Sequence, residues 1–379
     1  MKKVKIFYLI IIILLLESCS EKTKHVRLEK SKDIVLGTPD STYISLGSLY
    51  YADYKNHKYI ISYNNESLNL NYFDAGKFDF VSLYKPELLS IIPRNISYYL
   101  PYSKDSIFYC DSENNIFYLF NSLGKYISSW DIFKNKPESE QKFIVMSKQY
   151  YPLIYNSNTM YSRIYSTESF PEVFSKPLEC SFTKNDTGFT ITNMPVRYPS
   201  VYRSGKNYNN LSFEYVSKCI NGDQSIYSFP VDHQIYIYTK DKFIASYLCK
   251  SKYINDFEVT PSDKADDLQY TIQTYCTAPY YSKIYFDKYR NLYYRIAVHA
   301  ISRQKADGTL NFGWRDKPWS IIILNNKFKV LDEIYFKGTE YFTNFLIIPE
   351  GLLFQRLLSE LDSRRYGKFE LNKIVTYEE

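Results

Sequence analysis

A hairpin cadence recurs along this chain and leaves few folds open to it. The clearest copy runs Asp105-Ser-Ile-Phe-Tyr-Cys-Asp-Ser-Glu-Asn-Asn-Ile-Phe-Tyr-Leu-Phe-Asn-Ser-Leu-Gly124-Lys-Tyr-Ile, which reads as strand, polar turn, strand, glycine turn, strand. Gln224 to Ile244 repeats it, with Ile226 and Ile235 spaced as Ile107 and Ile116 are. Ile284 to Leu292 and Ile60 to Leu68 are copies one residue tighter, and weaker copies begin near Ile154 and Ile347. The anchors at 60, 107, 154, 226, 284 and 347 lie 47 to 72 residues apart. Long amphipathic helical patterns are missing. A unit of this size cannot bury both faces of its sheet alone, so neighbours must stack. The expected fold is all-β: a six-bladed β-propeller of four-stranded antiparallel blades. Ile34 to Leu36 are expected to pair into the last blade and close the ring. The uneven spacing keeps a large β-sandwich or two β-domains as the alternative.

The first residues give an address. Met1 to Lys5 is a short basic head, and Ile6 to Leu16 is an unbroken apolar run. That run suits a secretory leader and is too short to span a bilayer, which takes about 20 apolar residues. The ending Leu16-Glu17-Ser18-Cys19 resembles a bacterial lipoprotein signal, in which the Cys thiol takes up diacylglycerol. Leu16, Ser18 and Cys19 fit; Glu17 departs from the pattern. An ordinary signal cleaved near Ser18, or an uncleaved anchor, is the other reading. The expected division is a leader over 1–18, a solvated tether over 19–32 and a propeller over 33–379. The expected partner is a membrane, reached through a lipid on Cys19. The expected location is the cell envelope, at the outer membrane, facing either the periplasm or the outside.

Loss of Met1 to Ser18 removes three Lys and one Glu and leaves 44 basic against 40 acidic side chains. So small an excess does not make a nucleic-acid protein, which needs basic residues gathered on one face. The 41 Tyr and 25 Phe suit strands, or offer stacking faces and hydroxyls to a ligand. Cys110, Cys180, Cys219, Cys249 and Cys276 remain beside Cys19, with no C-x-x-C spacing. They read as buried small hydrophobes rather than a metal set.

The cadence of Asp105, Ile107, Ile116, Phe120, Gly124 and Lys125 resembles the blades of NHL- and TolB-type six-bladed propellers. The chain beyond the leader resembles the propeller lipoproteins of Bacteroidetes catalogued as domain of unknown function 4221. The segments that carry this best are Ile284 to Arg295 and Ser320 to Glu333. The resemblance implies a six-bladed fold and an envelope location, and brings no activity with it.

Catalytic signatures are missing from the sequence. His25, His57, His233 and His299 stand in no metal spacing, and no G-x-S-x-G elbow, Walker loop or calcium loop occurs. No cofactor is expected. Asp53, Asp79, Asp256 and Asp287 are the carboxylates from separate repeats that a propeller glycosidase would bring together. Two loops alternate cations with aromatics. One holds Arg197, Tyr198, Tyr202 and Arg203; the other holds Trp314 and Arg315. Planar guanidinium groups take carboxylates and aromatic faces take sugars, so these residues are the candidate ligand set. Arg295, inside a strand between Tyr294 and Ile296, joins them as a charge that must be paired or line the channel. The functional expectation is an anchored module that binds a glycan, a peptide or an envelope protein. An envelope glycan hydrolase or lyase is the alternative.

Overall fold

The computed structural model describes residues 24–378 except 40–43, 45–48, 55–56, 65–67, 88–95, 104, 135–142, 147–150, 157–158, 167–171, 186–187, 204–215, 241, 265–266 and 358–366. The expected leader over 1–18 and Cys19 lie outside the described residues.

Six antiparallel sheets form a ring, so the propeller expectation holds and the sandwich alternative fails. Blade 1 is β2 (Leu49–Tyr54), β3 (His57–Tyr63), β4 (Leu70–Asp74) and β5 (Phe80–Tyr84). Blade 2 is β6 (Ile96–Ser103), β7 (Ser106–Asp111), β8 (Ile116–Phe120) and β9 (Tyr126–Asp131). In blade 3, β10 (Phe143–Val145) and β11 (Ile154–Asn156) pair with the two ends of β12 (Thr159–Ser166), followed by β13 (Glu179–Asn185) and β14 (Gly188–Asn193). Blade 4 is β15 (Ser217–Asn221), β16 (Gln224–Ser228), β17 (Gln234–Tyr238) and β18 (Phe243–Leu248). Blade 5 is β19 (Tyr280–Asp287), β20 (Leu292–Val298), β21 (Trp319–Leu324) and β22 (Val330–Phe336). Blade 6 joins β23 (Tyr341–Ile348), β24 (Gly351–Arg356) and β25 (Gly367–Glu378) to β1 (Lys24–Leu36) from the other end of the chain.

The ring closes through β1, as Ile34 to Leu36 led us to expect, but the closure starts earlier. Lys24 to Lys32 pair with Glu378 to Leu371, so these residues are strand where a tether was expected. Their charges misled the reading. An outermost strand keeps one edge in water, and alternating charge there blunts that edge without preventing pairing. Val26 nevertheless sits in the apolar seam with Trp319 and Phe354.

The core is divided among the seams. Six clusters of buried apolar side chains fall one to each junction between neighbouring blades. Tyr is seam material: Tyr63, Tyr84, Tyr99, Tyr109 and Tyr118 are buried between blades 1 and 2. The middle strands β20 and β21 are buried throughout, whereas the terminal β18 is exposed almost throughout.

The tight turns repeat as the strands do. Asp74, Asn121 and Asn325 each accept two backbone N–H groups through Oδ1 and fix the third hairpin of blades 1, 2 and 5. Gly124 closes the turn after Asn121 at φ +80°, where a Cβ would stand 2.1 Å from the Lys85 carbonyl oxygen. Because strands alternate in direction, first and third hairpins share one face of the ring. Second hairpins and the connections between blades share the other. The second face carries the long connections, including helix α1 (Leu268–Thr277) between β18 and β19. No described helix is long and apolar enough to cross a membrane.

Candidate functional site

A half-open cavity of about 210 Å³ lies in the seam between blades 3 and 4. Met194, Val196, Ile220 and the rings of Tyr161 and Tyr238 form its walls. Glu179, Lys218 and Tyr227 line it and are buried. Its exposed lining residues, Gly222, Asp223 and Lys240, belong to the β15–β16 and β17–β18 turns, so the mouth opens on the turn face.

The buried end is polar by construction. Lys218 of β15 donates to Glu179 Oε1 at 2.5 Å, with their side chains 1% and 2% exposed. The Tyr227 hydroxyl donates to the other carboxylate oxygen at 2.6 Å. Burial, and then the Glu179 charge, hold the Tyr227 phenol well above its ordinary range. Tyr151 is lifted in the same way. The Lys218 ammonium stands 5.6 Å from the rings of both Tyr151 and Tyr227. Arg163, paired across β12 and β13 with Glu179, is buried behind them, its guanidinium 5.6 Å from Tyr151. Such a pair contributes little net stability, because desolvation cancels much of its attraction.

None of the residues expected from the sequence to bind ligand lines this cavity, although Arg197 adjoins its Met194–Val196 wall. Arg197 folds back, its Nη1 donating to the carbonyls of Met194 and Val196. Tyr198 and Tyr202 are buried in the seam, and the Tyr202 hydroxyl accepts from Val231 N. Arg203 is exposed at the end of a short 3-10 turn. Trp314 and exposed Arg315 stand in another such turn, in the connection between β20 and β21. Both loops sit on the long-connection face, away from the mouth at Gly222, Asp223 and Lys240, although Pro195 and Val196 of the first loop reach the cavity wall.

Arg295 proves to be paired, and by carbonyls. It is fully buried, lies 3.5 Å over the Tyr281 ring, and donates to Ser228 Oγ and to the carbonyls of Phe229, Asp232, His233, Gln234 and Cys249. All three guanidinium nitrogens are engaged. Arg295 therefore staples blade 5 to blade 4, and no donor is left over for a ligand.

Of the four nominated carboxylates, Asp287 is wholly buried and held by Arg290, Tyr294 and the N–H groups of Tyr289 and Arg290. Asp53 and Asp79 are exposed in blade 1, and Asp256 is exposed in the connection after β18. Asp53, Asp287 and Glu350 all act on Tyr289, whose ring meets Tyr51 at 6.2 Å on the turn face. No group of three or more metal-ligating side chains occurs among the described residues.

Glu179 and Lys218 were missed by the sequence reading. The signal was the one that exposed Arg295: a lone charge within an apolar strand, in Leu178-Glu-Cys and in Ser217-Lys-Cys-Ile.

The family model described as Domain of unknown function (DUF4221) matches residues 22–335. A solved member of that family from Bacteroides vulgatus ATCC 8482 superposes with a TM-score of 0.76 at 17% identity, over 94% of this chain and 100% of that one. A Bacteroides fragilis NCTC 9343 protein described as a candidate exported protein superposes with a TM-score of 0.53 at 10% identity, over 92% and 95%. No curated protein matches the chain.

Proposed function

We propose that this chain, which belongs to the DUF4221 family, is an envelope-anchored binding module whose small-ligand site is the seam between blades 3 and 4. The observation that carries this is the cavity itself, with its buried Glu179–Lys218–Tyr227 end, apolar walls and charged mouth. Its volume of about 210 Å³ lies below the roughly 300–1,000 Å³ of drug-sized sites. It fits one sugar ring or one residue of a peptide. Tyr161 and Tyr238 supply stacking faces, and Ser225 and Thr239 supply hydroxyls. The anchor is the lipid on Cys19, and the location is the outer membrane; the leader over 1–18 supports both.

The test is a thermal-shift screen of the form beginning at Ser20 against envelope glycans and short peptides, with each mixture analysed for product. A stabilising ligand recovered intact, whose effect vanishes in Ser225→Trp, supports the module. Conversion of the ligand, or a shift indifferent to Ser225→Trp, counts against it. Cys19→Ala should release the full chain from membranes; unchanged partitioning would remove the anchor.

One observation favours an envelope glycan hydrolase instead. Asp53 and Glu350 stand exposed beside Tyr51 and Tyr289. On that reading Asp53→Asn with Glu350→Gln abolishes turnover while ligand-induced stabilisation survives.

A further inference from the structure

β18 is the terminal strand of blade 4, paired with β17 along one edge and with no described strand along the other. A free edge offers unmatched N–H and C=O groups to any passing chain, and proteins ordinarily blunt it with charge, proline or cover. β1 follows that rule, with Lys24, Arg27, Glu29, Lys30, Lys32 and Asp33 along its length. β18 reads Phe-Ile-Ala-Ser-Tyr-Leu and has neither charge nor proline. Four of its residues are large apolar side chains partly open to water: Phe243 is 49% exposed, Ile244 43%, Tyr247 40% and Leu248 69%, with the Phe243 ring against Tyr238 and the Tyr247 ring against Phe328. The terminal strands β5 and β9 expose two each, and β22 and β1 expose one each. Charge gathers only at the ends of β18. Lys240 and Lys242 precede it, and Lys250 and Lys252 follow it, all exposed.

We infer that β18 is a docking edge for an extended segment of another protein, which adds to blade 4 as a further strand. The main-chain ladder supplies affinity in such strand addition, and alternate side chains supply selectivity. The lysine brackets specify the partner: a β-branched or aromatic run of about six residues, matched to the length of β18, with acidic residues at both ends. A second copy of this chain fits poorly, because antiparallel pairing of two β18 strands sets lysine against lysine. This inference does not rest on the cavity, although Lys240 also stands at its mouth.

The probe is a fluorescein-labelled peptide, Asp-Glu-Val-Thr-Val-Tyr-Val-Thr-Glu-Asp, titrated against the full chain by anisotropy. The same core flanked by Lys pairs is the comparison. Saturable binding of the acidic peptide alone is expected, with slowed hydrogen exchange at the β18 amides. Lys242→Glu with Lys250→Glu should weaken it about tenfold. Ile244→Lys with Leu248→Lys should abolish it while the melting temperature and any cavity ligand's shift stay unchanged. No saturable binding, equal binding of both peptides, or binding indifferent to both variants overturns the inference. So does a wild-type chain that sediments as a dimer and becomes monomeric in Ile244→Lys with Leu248→Lys.

Discussion

Arg295 of blade 5 lies 3.5 Å over the ring of Tyr281 and carries its guanidinium into the blade 4 turn, where Ser228 and five backbone carbonyls receive it. Tyr281 completes the staple. Its hydroxyl accepts from Ser251 N at 3.0 Å and meets His233 Nδ1 at 2.8 Å. Removing the cation leaves several buried carbonyls without donors, and breaking a buried charged network costs about 3–5 kcal/mol. Arg295→Ala should lose stability of that order in denaturant titration. Tyr281→Phe, which keeps the ring under the cation, should lose about 1–2 kcal/mol. An Arg295→Ala midpoint close to that of wild type would show that the staple is redundant.

Glu179 and Lys218 set up a different balance. Either one left alone is an uncompensated charge in a seam, so Lys218→Met should cost about 3–5 kcal/mol. Glu179→Leu with Lys218→Met should recover most of that loss, because the pair's attraction is largely offset by desolvation. The double variant should also lose response to any cavity ligand. A double-mutant cycle checks both statements; strictly additive losses would mean that the two residues do not act as a pair.

The hairpins and the number of blades were legible; the boundaries of the blades were not, for a physical reason. Every hairpin of a blade shows the same alternation, so Ile107 and Ile226 mark second strands, whereas Ile284 and Ile347 mark first strands. The anchors fall one to a blade but at different depths, and the connections differ in length, so that even the second strands begin 49 to 68 residues apart. The start of β1 was hidden because its charges face water along a terminal edge. Asp267, just ahead of α1, caps that helix by accepting from Tyr270 N at 2.9 Å. The cavity stayed hidden for a deeper reason. Glu179 and Lys218 sit on different blades, and no local pattern reveals a partner across a seam. Arg295 was singled out correctly as a charge in need of pairing, but its acceptors are carbonyls, which every residue has.

The cysteines should be chemically silent in the folded protein. Cys110, Cys180, Cys219, Cys249 and Cys276 are all buried and unbridged. Burial pushes the Cys180 thiol up to about 12 and the Cys249 thiol up to about 11. The thiolate is the reactive form, so iodoacetamide at pH 8 should label none of these five until the protein is unfolded. Intact-mass spectrometry before and after guanidinium treatment reads this directly. Labelling of Cys249 in the native state would contradict the packing of the seam between blades 4 and 5.

Acid should weaken the fold through His299. Its Nε2 lies 2.9 Å from Ser320 Oγ, and that hydroxyl donates to Glu333 Oε1 at 2.5 Å, so the imidazole is the donor at Nε2. The Tyr253 and Tyr335 rings flank it at 4.8 and 5.5 Å. Burial, and then the nearby Lys317 ammonium, lower its pKa to about 4. The unfolded chain protonates this residue near 6.5, so between 6.5 and 4 the unfolded state binds the extra proton. The stabilisation is therefore complete above pH 6.5 and disappears as the pH falls toward 4, a loss of about 3 kcal/mol. Carboxylates titrate in the same range, so the informative quantity is the difference between wild type and His299→Gln, which keeps a donor for Ser320. Denaturant titrations at pH 7.5, 5.5 and 4.5 should show the variant losing less stability than wild type at each step down. Parallel losses in the two proteins would mean that His299 is not held neutral by the fold.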